Sequence, residues 1–348
     1  MVSTYALGTS MLSGLARTQN ELTKLTGESS SGQYVDLGLQ LGDQSGYELS
    51  LRNQTNLLQT LSTANNLTVT NLSAAQTALD AIRATAESAV KTLTSTTAGS
   101  SGAGTTLQTT GTNALQELIS DTNTNSNGQY VFGGDNNSVA PMTDYFSSTT
   151  SAAKSNIDAA FQSTFGFAPT SASASTITAS QMQSFISGTL DPLFSSANWT
   201  SDWSSASNTD VTTQIAPGES ATTSTNANQP GFQQLAEGYA LLAEFGGSSL
   251  SSATQQAVIT AASSLINQGV SSLTTTEATL GTAQTRVTDA TTSMSNQLTI
   301  LQTQVGNLDN VNYSAVAVQL SSLSTQLETA YQLTAQLQKM NLAQYLPV

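Results

Sequence analysis

Apolar and small residues recur every three or four positions through much of the first hundred residues. From Leu58 the series runs Leu61, Asn65, Thr68, Leu72, Ala75, Leu79, Ile82, Ala86, Ala89 and Leu93. Sustained over about five heptads, that spacing predicts one long amphipathic helix. Asn65 and Thr68 interrupt the seam, and a buried polar residue there costs stability while fixing register. The tract "STTAGSSGAGTT" at 95–106 should break the helix, with a shorter one following from Leu107 to about Thr122. The C-terminal third repeats the pattern. One seam passes through Leu280, Ala283, Val287, Ala290, Met294, Gln297, Leu301, Gln304, Leu308 and Val311. Another passes through Leu320, Leu323, Leu327, Ala330, Thr334 and Leu337. A weaker one opens the chain, through Tyr5, Gly8, Leu12, Leu15, Gln19 and Leu22.

Between the helical ends the pattern changes. Prolines stand at 141, 169, 192, 217 and 230, and both tryptophans, Trp199 and Trp203, fall here. "TDVTTQIAPGESATTSTNA" alternates about Pro217-Gly218 and reads as a hairpin. The expected fold is therefore mainly α: a long antiparallel coiled-coil bundle formed by both chain ends, with a small inserted α+β domain and a β-hairpin. The expected division is 1–30 with 313–348 as terminal assembly helices, 31–135 with 231–312 as a helical core, and 136–230 as the inserted domain. A seam by itself is the core of a single-chain bundle. The outermost segments, however, leave much of their stripes uncovered even when paired with each other, and short uncovered helices are marginal in water. Leu12, Leu15, Leu22, Leu320, Leu323, Leu327, Leu337 and Tyr345 are the candidate assembly residues.

Composition narrows the chemistry. Aromatic residues make up 6% of the chain and charged residues 9%, so Ala and Leu must fill the core while hydroxyls and amides cover the surface. Twenty-two acidic residues against 8 basic ones give −14, which disfavours nucleic acid and anionic membranes as partners. The chain holds no Cys and no His, which removes disulfides, thiol chemistry and the Ser-His-Asp triad. Residues 1–14 have no basic segment and no unbroken apolar run, so cytoplasm or export without a cleaved leader is expected.

"DTNTNSNGQYVF" starts like a calcium loop, with Asp121, Asn123 and Asn125 alternating, but Ser126 and Phe132 stand where Gly and a bidentate Glu are needed. A turn accounts for the stretch better. Asn127-Gly128 tolerates positive φ at both central positions of a tight hairpin. Gln129, Tyr130, Val131 and Phe132 have strand character, with Tyr130 and Phe132 on one face, and Gly133-Gly134 releases the chain. Asp191, Asp202, Asp210 and Glu219 accompany the two tryptophans, a combination sugar sites use, yet no spacing marks a catalytic pair. Neither an enzyme, nor a cofactor, nor a metal is expected.

Several motifs together resemble the bacterial flagellin family, in particular its hook–filament junction branch. "NGQYVFGG" is similar to that branch's Phe-bearing turn. "GNLDNVNYSAVAVQLSSLSTQLETAYQLTAQLQKMNLAQYL" resembles its C-terminus, with Leu342, Tyr345 and Leu346 at the close. "APGESATTSTNA" resembles its short hairpin. In "SSSGQYVDLGLQLGDQSG", Ser31-Gly32 is kept, but Gln33 replaces a basic residue and the acidic pair is spaced out as Asp36 and Asp43. The period-2 run Leu37, Leu39, Leu41 predicts an extended segment there. The resemblance implies a secreted structural subunit joining hook to filament. Its implied partners are copies of itself, neighbouring hook-associated and flagellin subunits, and an export chaperone. Filament flagellin, a flagellin-like adhesin or sugar-binding protein, and a hydrolase are the alternatives.

Overall fold

The computed structural model describes the backbone of residues 4–147, 151–247 and 249–343, and side chains between 8 and 336. The chain divides into two compact units, 1–59 with 295–348, and 60–294, the boundaries falling inside two long helices. Those are α3 (Ser45–Ser95) and α9 (Ser252–Asp309).

In the 60–294 unit, side chains of α3 and α9 meet in antiparallel order. Asn65 reaches Thr291, Ser73 reaches Gln284, and Arg83 reaches Glu277. The seam residues from Leu72 to Leu93 are buried, as are Leu280 and Val287. Asn65 is fully buried, and its Nδ2 donates to the Ile215 carbonyl (2.8 Å) and the Thr291 hydroxyl (3.0 Å). A polar seam residue with two partners on different segments admits one register only. The Gly-Ser tract ends α3 at Ser95. The next helix, α4 (Ala103–Thr122), starts four residues earlier than its apolar spacing announces, after Gly102 in the left-handed region. It packs on α8 (Pro230–Phe245), whose proline sits in the first turn, where a missing N–H costs nothing. Gly111 makes this crossing close: a Cβ there would lie 2.5 Å from the Ala243 nitrogen and 2.7 Å from the Tyr239 oxygen.

The middle of the chain adds α5 (Ala152–Phe165), α6 (Ala179–Phe185) and α7 (Ser196–Asp202). Ser151 caps α5, and Thr178 with Gln181 forms a capping box on α6. Two antiparallel two-stranded ribbons occur among the described residues. β1 (Asn125–Ser126) pairs with β2 (Gln129–Tyr130), and β3 (Thr212–Ala216) with β4 (Glu219–Thr222). Pro217-Gly218 closes the second, with Gly218 at φ +79°. Phe161, Phe185, Trp199 and Trp203 join α3, α4, α8 and α9 in one continuous core.

In the other unit, α1 (Thr4–Ser31) lies antiparallel to α10 (Tyr313–Ala343). A small cluster of Leu25, Val311 and Val316 holds one end of this pair, with Tyr34, Leu320 and Leu323 against it. The mainly α bundle with short hairpins is thus the architecture found. A local expectation fails at residues 37–41. Leu37, Leu39 and Leu41 are not extended but form the short helix α2 (Leu37–Leu41), because Asp36 accepts from the Leu39 N–H and caps it. Five residues are too few for a period to decide between strand and helix, and the cap decides.

Candidate assembly surface

The turn joining α9 to α10 is clipped to the turn after α1. The Val311 N–H donates to the Gly32 carbonyl (2.9 Å) and the Tyr34 N–H to the Asp309 carbonyl (3.0 Å), around a bridge between Gln33 and Asn310. Gly32 has φ +75°, a conformation strained for any residue with a side chain, and a Cβ there would also displace the Tyr313 hydroxyl, so glycine is favoured. Asn312 caps α10 through Ser314 and Ala315. Glu28 is buried and receives the Val35 N–H. Gln33 brings no charge to the clip. Arg52, on α3, supplies it by pairing with the buried Asp309 and with Glu48.

Beyond the clip, Leu15 and Leu22 on α1 and Leu320, Leu323 and Leu327 on α10 are half-buried. Gln19 donates to the Tyr331 hydroxyl across the pair (2.7 Å). Leu12 remains 59% exposed. The Leu337 side chain and the whole of Tyr345 lie outside the described residues.

The seam does not account for every apolar residue of α10. Val318 is 70% exposed; at about 100° per residue it lies on the opposite side of the helix from Leu320. Leu333, also exposed, lies near that side, and Ser322, Thr325 and Thr329 form a shallow groove between the two. The helix is therefore apolar on two faces, one turned to α1 and one open. Of the thirteen exposed large hydrophobic residues among those described, only Leu67 and Val139 belong to the 60–294 unit; the other eleven belong to the unit built from the chain ends. Val318, Leu39, Tyr47, Leu49, Ile300 and Tyr313 belong to no seam, because a seam marks the residues that pair within the chain. Apolar residues off the seam were the available signal.

The stretch "NSNGQYVFGG" folds as a two-residue hairpin. Asn127 (φ +53°) and Gly128 (φ +82°) occupy its centre, and the Asn125 side chain accepts from the Gly128 N–H. The strand stops at Tyr130; Val131 and Phe132 lie in a turn, not in a continuing strand, because the Gly133 N–H donates back to the Tyr130 carbonyl (3.3 Å) and closes the turn over them. Phe132 is fully buried and meets the Phe232 ring edge-on at 5.3 Å, while its carbonyl receives the Ala227 N–H. Tyr130 stays half-exposed. At Gly133 and Gly134 a Cβ would strike the backbone of Asn136 and of Thr209. The oxygens of Asn123 and Asn125, two of the three alternating groups, are both engaged by backbone N–H groups.

Trp199 and Trp203 are buried and stacked on each other at 5.5 Å, with Tyr145 stacked on Trp203. Trp199 donates to the Ala227 carbonyl. Both are buried to within 1% of their surface, so they form a core and present no open face to a sugar. Of the four middle acids, Asp210 accepts from Asn226 and Glu219 pairs with Arg286. Asp191 faces the buried Glu237, whose carboxyl is pushed up to about 9 by burial and by that neighbour. Among the described residues no group of three or more acidic side chains is arranged to hold a metal, and no helix is long and apolar enough to cross a membrane.

Fold and surface together define a helical-bundle protein whose two chain ends pair and present apolar side chains to solvent. The sequence profile of the bacterial flagellin N-terminal helical region matches residues 2–137, and that of the C-terminal helical region matches residues 263–346. The chain belongs to the bacterial flagellin family. A solved structure of a candidate flagellar hook-associated protein from Vibrio parahaemolyticus is similar, with a TM-score of 0.51 at 13% identity. The likeness covers 76% of this chain and 97% of that one, and is a likeness of fold. No curated protein matches the sequence. Family membership makes this chain a structural subunit of the extracellular flagellum.

Proposed function

We propose that this subunit joins the flagellar hook to the filament, assembling through the α1–α10 pair with copies of itself and with neighbouring hook-associated and flagellin subunits. The observation that carries the reading is the concentration of exposed apolar residues on the unit built from both chain ends. Isolated exposed leucines are ordinary, but a set concentrated on one unit marks an interaction surface. Each Leu or Val side chain fully covered by a neighbour contributes about 1.5–3 kcal/mol, and every copy repeats the gain. A contact made head to tail does not close on itself and so propagates along an axis. An export chaperone covers the same apolar face before secretion, and residues 136–230 form an outer region on this reading. The hook-associated likeness and the Phe-bearing turn favour the junction over the filament.

Antibody labelling of purified flagella tests this. A single band at the hook tip is expected. Continuous decoration of the filament would make the chain a filament flagellin, and label absent from flagella would overturn the reading altogether.

A further inference from the structure

Asn127-Gly128 is the sole Asn-Gly pair in the sequence. An asparagine followed by glycine is chemically exposed, because no side chain shields the next backbone nitrogen. That nitrogen attacks the asparagine Cγ; the new N–Cγ bond forms as the Cγ–Nδ2 bond breaks, the backbone N–H proton is lost and ammonia departs. Solvent water then opens the cyclic imide at either carbonyl, leaving aspartate or isoaspartate. Here the pair sits at the tip of a hairpin, and Asn127 is exposed.

Both reacting groups are held. The Gly128 N–H, which must be given up, donates to the Asn125 Oδ1 at 2.9 Å. The Asn127 amide, the leaving group, donates to the Asn71 Oδ1 (3.4 Å) and to the Ser126 hydroxyl (3.3 Å). Ser126 in turn donates to the same Asn71 oxygen at 2.8 Å, which ties the hairpin tip to α3. Positive φ at two successive residues fixes the turn further.

We propose that Asn127 is a latent deamidation site held shut by Asn125 and Asn71, labile in the unfolded chain and slow in the folded one. The inference stands independently of the flagellar role. Opening the site means losing one or two hydrogen bonds, so the removal of either guard raises the open population about tenfold. Isoaspartate would add a backbone carbon to a two-residue turn and pull on the segment that seats Phe132.

The full-length protein is aged at mildly alkaline pH as wild type, as Asn125→Ala and as Asn71→Ala, beside wild type held unfolded in guanidinium chloride. The peptide containing residue 127 is followed by mass spectrometry for exchange of amide for acid, and circular dichroism checks folding. Asn125→Ala removes a bond within the turn, whereas Asn71→Ala leaves the β1–β2 ladder intact, so local unfolding and loss of restraint are separated. Slow conversion in folded wild type, fast conversion in the unfolded chain and about tenfold acceleration in a folded guard variant support the proposal. Folded wild type converting as fast as the unfolded chain, or both variants keeping the wild-type rate, overturns it.

Discussion

Phe132→Ala tests whether the hairpin anchors the chain. Phe132 has no exposed surface, and its ring meets Phe232 at the start of α8. It therefore ties the end of α4 and the hairpin to the returning half of the chain. Truncating a fully buried Phe to Ala costs about 3–5 kcal/mol, the lost transfer energy plus the cavity left behind. The edge-on pairing with Phe232 accounts for only about 0.5–1.5 kcal/mol of that, so lost burial and the cavity together dominate. The backbone bond from Ala227 to the Phe132 carbonyl survives the substitution and limits collapse of the site. Urea unfolding read by tryptophan fluorescence reports directly, since Trp199 and Trp203 are buried in the same core. The expected result is a lowered midpoint with an unchanged slope. A loss below about 1 kcal/mol would refute the reasoning, because a site that tolerates truncation so cheaply is not an anchor.

Two further outcomes follow from the core. Burial and Asp191 raise the Glu237 carboxyl from its ordinary 4.5, so the folded state keeps a proton that the unfolded chain releases. Stability is then fullest below the unfolded value and falls as pH rises towards 9, by up to about 1.4 kcal/mol per pH unit. Glu237→Gln should flatten that fall in urea midpoints taken across pH, and an unchanged profile would contradict it. Gly111→Ala sets about 1 kcal/mol of helix propensity against a Cβ that meets fixed backbone of α8. Overpacking of about 1–3 kcal/mol wins, and the thermal midpoint should drop, whereas a rise would mean the two helices part freely.

The long elements were legible because their pattern is long. The Leu58–Leu93 seam repeats often enough to specify α3, and its interruption at Asn65 proved to be a hydrogen-bonded register pin to Ile215 and Thr291. The Pro217-Gly218 ribbon was legible from turn chemistry. Short segments were not: at Leu37–Leu41 a capping aspartate outweighs a five-residue alternation, and at Val131–Phe132 strand propensity yields to the turn. The tryptophans' residue type says nothing of whether their faces are open, and only packing places Trp199 against Trp203. Arg52 and Asp309 are too far apart in the sequence for pairing to be read from spacing. The proposed surface was half legible. Its seam residues follow a period, while Val318 and its exposed companions follow none.

Assembly through the open face of α10 is best measured with Val318→Asp, in cells whose only copy of the subunit carries it. Leu323→Asp is less clean, because Leu323 packs against the Leu25, Val311 and Val316 cluster and its loss would open the α1–α10 pair itself. Val318 is largely exposed, so the charge leaves the isolated fold intact, and circular dichroism of the purified variant should match wild type. Burying that carboxylate against a neighbour without a partner costs several kcal/mol in every copy. The account predicts that the variant folds but is absent from purified flagella, with flagellin shed into the medium; its own secretion is measured separately, because the proposed chaperone docks on the same face. Secreted Val318→Asp that takes its place at the hook tip and supports filaments of normal length would contradict it.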